Sequence, residues 1–218
     1  MAERFLFLDT ETTGLSVTGG DRVCEIAVVE ADEKGRAIRA FHTYLNPECR
    51  MNHVAQSIHG LSTSFLLGAP RFAEIQDEFL AFVKGATIVA HNATFDQHFI
   101  EGELARAGGP SFFGSVKKIE CSWRRARSLL PVGKRSLEAL CERFEIGTVD
   151  RSLHGALIDS VLLGHVWASL TALEKGGVMP LPVQANLTPE IRLALRQPRT
   201  PKRSEEHTSE LQSPYDLV

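Results

Sequence analysis

The first 45 residues of the chain contain three runs of mostly apolar side chains, separated by short polar turns. The runs cover residues 4–9, 23–30 and 38–45, and apolar and polar positions partly alternate within them. This alternation is typical of β-strands, in which neighbouring side chains point to opposite faces of a sheet. Glycines and the sequence Asp32-Glu33-Lys34-Gly35 separate the runs, as turns do. The pattern therefore predicts three strands that follow one another as a meander.

Helical spacing of apolar residues begins after residue 70. Phe72, Ile75, Phe79 and Val83 fall on one face of a helix predicted over residues 71–83. The same criteria predict strands over residues 86–90 and 116–120, and helices over residues 94–107, 122–129 and 136–144. A separate long helix is predicted to follow and to end near residue 173. Strands that first follow one another and then alternate with helices indicate an α/β fold, in which helices pack on the faces of a mixed sheet.

The length and composition predict one domain, or one domain with an appendage. The chain has 218 residues, and its apolar content of 43% is enough for a sizeable core. We expect residues 1–175 to form this domain. Proline, glutamine and arginine become more frequent from Gly176 onward, so residues 176–202 are predicted to be a linker with a short helix near residues 189–195.

The last residues have an unusual origin on our interpretation. The sequence Arg-Ser-Glu-Glu-His-Thr-Ser-Glu-Leu-Gln-Ser at residues 203–213 resembles the translation of a sequencing-library adapter. We therefore expect residues 203–218 to be a disordered artefact and the natural C-terminus to be missing. This tail holds one basic and four acidic residues, a net charge of −3 that equals the charge of the whole chain. The remaining residues are therefore neutral overall.

Several classes of protein are excluded by the composition. The N-terminus lacks the basic and apolar regions of a signal peptide, and no apolar segment reaches the roughly 20 residues of a membrane span. We expect a cytoplasmic protein without a membrane partner. Four cysteines lie far apart with no Cys-x-x-Cys pair, which argues against a zinc site or a disulfide scaffold. Reduced and mostly buried thiols are predicted instead.

Asp9 and Glu11 are the first candidate metal ligands. They lie at the end of the first predicted strand, where alternate residues share a face and each residue advances the strand by roughly 3.3 Å. Two carboxylates side by side can hold one hard cation. An isolated Asp-x-Glu is more often a solvated turn, so the pair needs support from the rest of the chain.

Two downstream aspartates are predicted to point inward. Asp96 shares a helix face with Phe99 and Ile100, and Asp159 shares one with Leu163, Val166, Trp167 and Leu170. A buried carboxylate costs several kcal/mol unless it finds a cation, a strong donor or a proton. A lone inward aspartate is often a structural group. Together with the Asp-x-Glu pair, however, the two aspartates favour one shared cation site.

His154 is the candidate general base. It lies five residues before Asp159, which is 140° around a continuous helix, so the two side chains would not share a face within one helix. A helix that starts near Gly155 would leave His154 on the entry loop, above the metals. Its ordinary pKa of about 6.5 lets it take a proton from water near pH 7. By itself, His154 would more simply be a surface residue.

Ordered motifs extend these candidates into a family resemblance. The motifs are Phe7-Leu8-Asp9-Thr10-Glu11-Thr12-Thr13-Gly14-Leu15, His91-Asn92-Ala93-Thr94-Phe95-Asp96 and His154-Gly155-Ala156-Leu157-Ile158-Asp159, with Ser57-Ile58-His59-Gly60-Leu61 and Gly133-Lys134-Arg135-Ser136-Leu137-Glu138-Ala139-Leu140-Cys141 as further segments. They resemble the DEDDh 3′-to-5′ exonucleases, and in particular the epsilon proofreading subunits of bacterial DNA polymerase III. The match covers roughly residues 4–173. It implies a ribonuclease H-like fold with a five-stranded mixed sheet.

The resemblance implies phosphodiester hydrolysis with two divalent cations, Mg²⁺ or Mn²⁺. Asp9, Glu11 and Asp159 would hold the ion that activates the attacking water. Asp9 would bridge to the second ion, and Asp96 would support that ion through water. Two cations about 3.5–4 Å apart stabilise both the attacking and the leaving oxygen. His154 would be the general base.

Substrate contacts are also implied by the resemblance. Besides the metal ligands Asp9, Glu11 and Asp159, the family motifs suggest eight residues near the terminal nucleotide. Thr12, Thr13 and Gly14 would approach that nucleotide, Leu15 would pack on its base, Ile58 and His59 would meet base and sugar, and Asn92 would lie near the scissile end together with Phe95. Core packing is the alternative for Leu15, Ile58 and Phe95.

The implied function is that of a proofreading subunit which releases nucleoside 5′-monophosphates from single-stranded or frayed 3′ ends of DNA. A stand-alone exonuclease for RNA trimming or DNA repair is the alternative with the same site. A catalytically silent adaptor is the alternative from another class, and the intact acid and histidine set argues against it.

The implied partner is the polymerase III alpha subunit, reached through the missing C-terminal segment, with activity at the nucleoid during replication. The sliding clamp is a further candidate partner. Gln184-Ala185-Asn186-Leu187 is partly similar to a clamp-binding peptide but lacks the apolar or aromatic residue that should follow. Linker is therefore the favoured interpretation of this peptide.

Overall fold

The computed structural model describes residues 3–147 and 155–176. The strands are β1 (Phe5–Thr12), β2 (Val23–Ala31), β3 (Ala37–Tyr44), β4 (Thr87–Ala90) and β5 (Lys118–Cys121). The helices are α1 (His53–His59), α2 (Thr63–Leu66), α3 (Phe72–Val83), α4 (Ala93–Ala107), α5 (Phe112–Ser115), α6 (Ser122–Leu129), α7 (Leu137–Arg143) and α8 (Ala156–Glu174).

The five strands form one mixed sheet in the order β3-β2-β1-β4-β5. β1, β2 and β3 are the predicted antiparallel meander, and β4 and β5 run parallel to β1. Leu8 pairs with Ala90, and Ala90 pairs with Cys121. The carboxyl ends of β1, β4 and β5 therefore meet at one edge of the sheet, where the chain carries its predicted site motifs.

Helices cover both faces of the sheet, and the side chains of β1 show how. Leu6 and Leu8 belong to the core formed with α3 and α4. Phe7 belongs to the core formed with α7 and α8. This alternation follows from the period of two along a strand. The same alternation places Asp9 and Glu11 on the α8 side of the sheet and Thr10 on the α4 side.

α8 is the central helix of one layer. Its residues from Ala156 to Val166 are all buried. Its length and composition would suffice to cross a membrane, but 78% of its apolar window is buried inside the protein, as in the core helix of a water-soluble domain. Gly155 is the N-cap residue of α8, so the predicted start of this helix near Gly155 is confirmed.

The turn between β2 and β3 packs directly on the backbone of α8. Gly35 has a φ of +77°, and a Cβ atom added there would lie 2.6 Å from the carbonyl oxygen of Gly164. A Cβ atom on Gly164 would lie 3.3 Å from the carbonyl oxygen of Gly35. Gly35 is therefore required for this close approach, and a side chain on Gly164 would be tight, so the pair sets the distance between α8 and the meander.

Three short helices, α1, α2 and α5, were not predicted. α1 and α2 begin at polar caps, because Asn52 Oδ1 accepts from the backbone of Val54 and Ser62 Oγ accepts from that of Phe65. A helix of four to seven residues shows too little apolar periodicity to be recognised. β1 also continues to Thr12, beyond its predicted end at residue 9, so Asp9 and Glu11 lie inside a strand.

The cysteines are free thiols, as predicted; Cys24 and Cys141 are buried and the other two are half-buried. The predicted linker beyond Gly176, its short helix, the suspected artefact and His154 all lie outside the described residues.

Candidate active site

Three predicted metal ligands come together at the end of β1. One carboxylate oxygen from each of Asp9, Glu11 and Asp159 lies within 4.8 Å of the others. Asp9 and Glu11 project from the face of β1 that α8 covers, and Asp159 enters from the first turn of α8. The site is thus assembled from two segments about 150 residues apart in the sequence.

Asp159 is placed by contacts on either side of it. Its backbone N–H donates to the carbonyl of Gly155, and the next residue, Ser160, donates from Oγ to the carbonyl of Ala27 over 3.2 Å. Ala27 lies opposite Asp9 in the β1–β2 register. The start of α8 is therefore anchored beside Asp9, and the helix dipole favours a carboxylate in this first turn.

Asp96 approaches β1 from the other layer. It lies in the first turn of α4 and is 3% exposed. Thr10 Oγ1 donates to Asp96 Oδ1 over 2.8 Å. Since Thr10 separates Asp9 from Glu11 in the strand, this hydrogen bond ties the fourth acid to the same two residues of β1. The predicted inward direction of Asp96 and Asp159 is confirmed.

Two of these carboxylates, Asp9 and Asp96, have a raised pKa. Burial, with the charges of Asp159, Asp96 and Glu11, raises the pKa of Asp9 well above its usual value. Burial also raises the pKa of Asp96 to about 7, although the hydrogen bond from Thr10 acts in the opposite direction. A divalent cation would offset this repulsion, and an all-carboxylate donor set suits a hard cation such as Mg²⁺ or Mn²⁺. The residues present fit a metal centre.

The fold and this acid cluster agree with the known proteins that the chain is similar to. The family model for exonucleases of the RNase T type matches residues 6–164. The chain belongs to this exonuclease family.

Two relatives show the branch of the family. The DNA polymerase III subunit epsilon of Rickettsia felis is 41% identical over 173 residues, covering 77% of this chain and 74% of that protein. The subunit of the same name from Escherichia coli K12 is 38% identical over 174 residues, covering 77% and 71%. The chain is a 3′-to-5′ exonuclease of the proofreading type, as the motifs predicted.

Solved structures confirm the ribonuclease H-like fold. Exonuclease X in complex with 5′-overhanging duplex DNA has a TM-score of 0.60 at 22% identity, covering 84% of this chain and 99% of that one. Escherichia coli exonuclease I in complex with a dT13 oligonucleotide has a TM-score of 0.69 at 18% identity, covering 80% and 42%. The family implies use of divalent metal ions, for which the acid cluster is suited.

The loop after β1 is held in shape by Asp21, which the sequence analysis missed. Thr13 Oγ1 donates to Asp21 Oδ1 over 3.2 Å, and the backbone of Ser16 donates to Oδ2 over 2.9 Å. A Cβ atom on Gly14 would lie 2.4 Å from both carboxylate oxygens. Thr12 Oγ1 adds a 2.6 Å bond to the carbonyl of Gly14. Gly14 is therefore required by the packing of this loop on Asp21.

Two predicted substrate contacts are apolar side chains at the surface. Leu15 is 86% exposed and Ile58 is 47% exposed. Core packing was the alternative for both residues, and it is wrong. The backbone N–H of Asn52, the N-cap residue of α1, donates to the carbonyl of Thr13 over 3.0 Å. This bond joins the helix that carries Ile58 to the loop that follows β1. Their contact with a nucleotide stays a prediction.

Three further predicted contacts differ in accessibility: His59 and Phe95 are less exposed than Leu15 and Ile58, and Asn92 is exposed. His59 is buried, and its Nδ1 accepts from the backbone of Leu61 over 3.0 Å. Phe95 is half-buried, with its ring 4.8 Å from that of Phe99. Asn92 is exposed and takes the left-handed conformation, with φ 62°, which is uncommon for a residue other than glycine. These three residues stay predictions as substrate contacts.

A buried ion pair supports the same loop and was also missed. Arg22 binds Glu103 of α4 through two hydrogen bonds of 2.8 and 2.7 Å, and Glu103 is 1% exposed. The backbone N–H of Arg22 donates to Thr13 Oγ1. The pair thus connects α4 to the loop that follows Glu11. No motif or periodicity links Arg22 with a residue 81 positions away.

The predicted general base, His154, falls outside the described residues, so its place in the site stays a prediction.

Without divalent cations, the free energy of unfolding is expected to fall as the pH rises from about 4 to about 7. The pKa of Asp96 is about 7 when folded against an ordinary value of 3.8. The stabilisation from its bound proton is therefore complete below the unfolded pKa and lost as the pH passes the folded one. Asp9, whose pKa is also raised, acts in the same direction.

Thermal melts in EDTA at about pH 5 and pH 8 measure this fall, which should be several degrees. The fall in melting temperature should be smaller in Asp96→Asn. It should also be smaller in the wild type when Mn²⁺ replaces EDTA. A metal-free melting temperature that increases over this range would contradict the expectation.

Proposed function

We propose that this exonuclease removes nucleoside 5′-monophosphates from single-stranded or frayed 3′ ends of DNA, as the cytoplasmic proofreading partner of a bacterial replicative polymerase. The observation that supports it most is the clustering of Asp9, Glu11 and Asp159 within 4.8 Å, with Asp96 fixed to the same strand by Thr10. The relatives named DNA polymerase III subunit epsilon support DNA, rather than RNA, as the substrate.

Two cations, Mg²⁺ or Mn²⁺, are proposed as cofactors. Asp9, Glu11 and Asp159 would hold one of them, and Asp9 would share the second with Asp96, which acts through water. When bound, such a pair stabilises charge on the attacking and leaving oxygens of the phosphodiester. The described residues supply the oxygen donors.

The protein's own side chains would orient the end of the strand. Leu15 and Ile58 offer exposed apolar surface, on which the terminal base would pack. Thr12, Thr13 and Gly14 form a loop whose shape Asp21 maintains, and this loop would contact the terminal nucleotide. His59, Asn92 and Phe95 complete the proposed pocket, with Asn92 the most accessible of the three.

His154 would take the proton from the attacking water. It directly precedes Gly155, the N-cap residue of α8, and Asp159 lies in the first turn of that helix. A neutral imidazole near pH 7 is suited to this proton transfer.

Replacing Asp9→Asn should abolish nucleotide release from 3′-labelled single-stranded DNA in Mg²⁺ or Mn²⁺, because one bridging ligand is lost while the side-chain volume is kept. Asp77→Asn, at an exposed position on α3, is the matched control and should stay active. Release that persists in the Asp9 variant would rule out the proposed site. Faster release from RNA than from mispaired DNA ends would rule out proofreading as the main activity.

The same assay tests His154. His154→Ala should lower turnover by about 10²- to 10⁴-fold, the usual contribution of a general base, while cation binding measured by titration is preserved. Turnover close to that of the wild type would assign proton removal to another group.

Leu15→Ala should raise KM for single-stranded DNA several-fold and leave the melting temperature unchanged, because the side chain is exposed and would pack only on the substrate. Leu67→Ala is the matched control, since Leu67 is 67% exposed at the C-cap of α2. An unchanged KM for the Leu15 variant would remove this residue from the substrate site.

The proposed protein partners are the polymerase alpha subunit and, as a weaker candidate, the sliding clamp. Support comes from the name of the relatives, which are subunits of DNA polymerase III. The proposed contact region lies beyond Gly176. A version that includes the region beyond Gly176 should co-purify with the polymerase, and a version ending at residue 176 should not. Equal recovery of both versions would place the contact on the exonuclease domain.

A further inference from the structure

A further carboxylate lies beside the candidate metal ligands. Glu25 of β2 is directly opposite Glu11 in the β1–β2 register and is fully buried. Residues opposite each other in an antiparallel pair have Cβ atoms about 4.5–5.5 Å apart and share a face of the sheet. Glu25 is therefore on the α8 side with Asp9 and Glu11, although neither the motifs nor the three-acid cluster includes it.

Glu25 is held by a histidine of the next strand. His42 Nε2 lies 2.8 Å from Glu25 Oε1. The imidazole of His42 meets the ring of Tyr44 edge-on at 5.2 Å, and Tyr44 meets Phe65 edge-on at 5.0 Å. Aromatic packing thus fixes His42, and His42 fixes one oxygen of Glu25. The Glu25–His42 pair extends the polar face of the sheet from β1 across β2 to β3.

The position of this pair restricts Glu11. Like charges directly opposite each other in a sheet repel, and screening by salt is weak for buried groups. A Glu11 side chain that turned toward β2 would approach the Glu25 carboxylate. The orientation toward Asp9 and Asp159 avoids that approach and becomes favourable once a cation is shared there. Glu25 also adds to the negative potential at Asp9, whose pKa is raised by burial, by the other three acids and by Glu25.

We propose that Glu25 and His42 are positioning residues, which hold Glu11 toward the cation and raise the affinity of the site for divalent metal. The inference rests on the proposed function, because it needs a metal centre at Asp9, Glu11 and Asp159. Neither residue touches the reacting atoms. Partners of this kind behind metal ligands typically change metal affinity 10- to 100-fold.

Titration of the full-length, EDTA-treated protein with Mn²⁺, followed by calorimetry, tests the pair. Glu25→Gln keeps the side-chain size and removes the charge, and His42→Phe keeps the ring beside Tyr44 and removes the hydrogen bond. Each variant should raise the Kd for Mn²⁺ at least about tenfold. The double variant should be little worse than either single one, because both act through one carboxylate.

Glu30→Gln is the matched control on the same strand. Glu30 pairs with Arg4 and Arg39, so the variant also loses a charged partner but should bind Mn²⁺ as the wild type does. Saturating Mn²⁺ should restore the turnover of Glu25→Gln to near the wild-type value, since the lost property is affinity. A melting temperature measured in EDTA separates this effect from a loss of fold.

The outcomes separate the inference from the proposed function. If the wild type fails to bind Mn²⁺, or Asp9→Asn binds it equally well, the metal centre itself is wrong. If the wild type binds and Asp9→Asn does not, unchanged affinity in Glu25→Gln and His42→Phe overturns the positioning pair alone. Turnover that stays low at saturating Mn²⁺ also overturns it. A lower metal-free melting temperature with unchanged affinity would assign the pair a purely structural part and reject the inference.

Discussion

Repulsion among buried carboxylates is the constraint on which the rest of the structure depends. Asp9, Glu11, Asp96 and Asp159 are half-buried or buried. Burial and the charges of neighbouring acids raise the pKa of Asp9, and burial raises the pKa of Asp96. Such a cluster would separate if its backbone could relax, because each charge is costly in the interior. The strand and two helix starts that carry it are therefore anchored by hydrogen bonds and close packing, which keep the acids together until a cation offsets their charge.

β1 connects the two layers of the fold to this cluster. Its alternating side chains send Asp9 and Glu11 toward α8 and Thr10 toward α4, where Thr10 holds Asp96. One strand thus coordinates contributions from both faces of the sheet. β1 is also the middle strand of five. It pairs with β4 over Phe5–Leu8 and with β2 along its whole length, so β2 holds Asp9 and Glu11 in register.

The sequence was most informative where a pattern is local. Alternation along β1 and helical spacing around Asp96 and Asp159 predicted the inward acids, and Gly155 predicted the start of α8. The supports of the site could not be found in this way. Asp21, the Arg22–Glu103 pair and the Glu25–His42 pair depend on contacts between residues 8 to 81 positions apart, and polar residues at such separations have no characteristic spacing. Tertiary packing alone brings them together.

The contact between Gly35 and Gly164 has a consequence for how this enzyme can vary. Gly164 lies five residues beyond Asp159 on the same rigid helix, an advance of about 7.5 Å. A side chain on Gly35 would meet the backbone of α8 and push the helix away from the meander, together with Asp159. The turn between β2 and β3 therefore helps to set the position of a metal ligand that lies toward the opposite end of the strands.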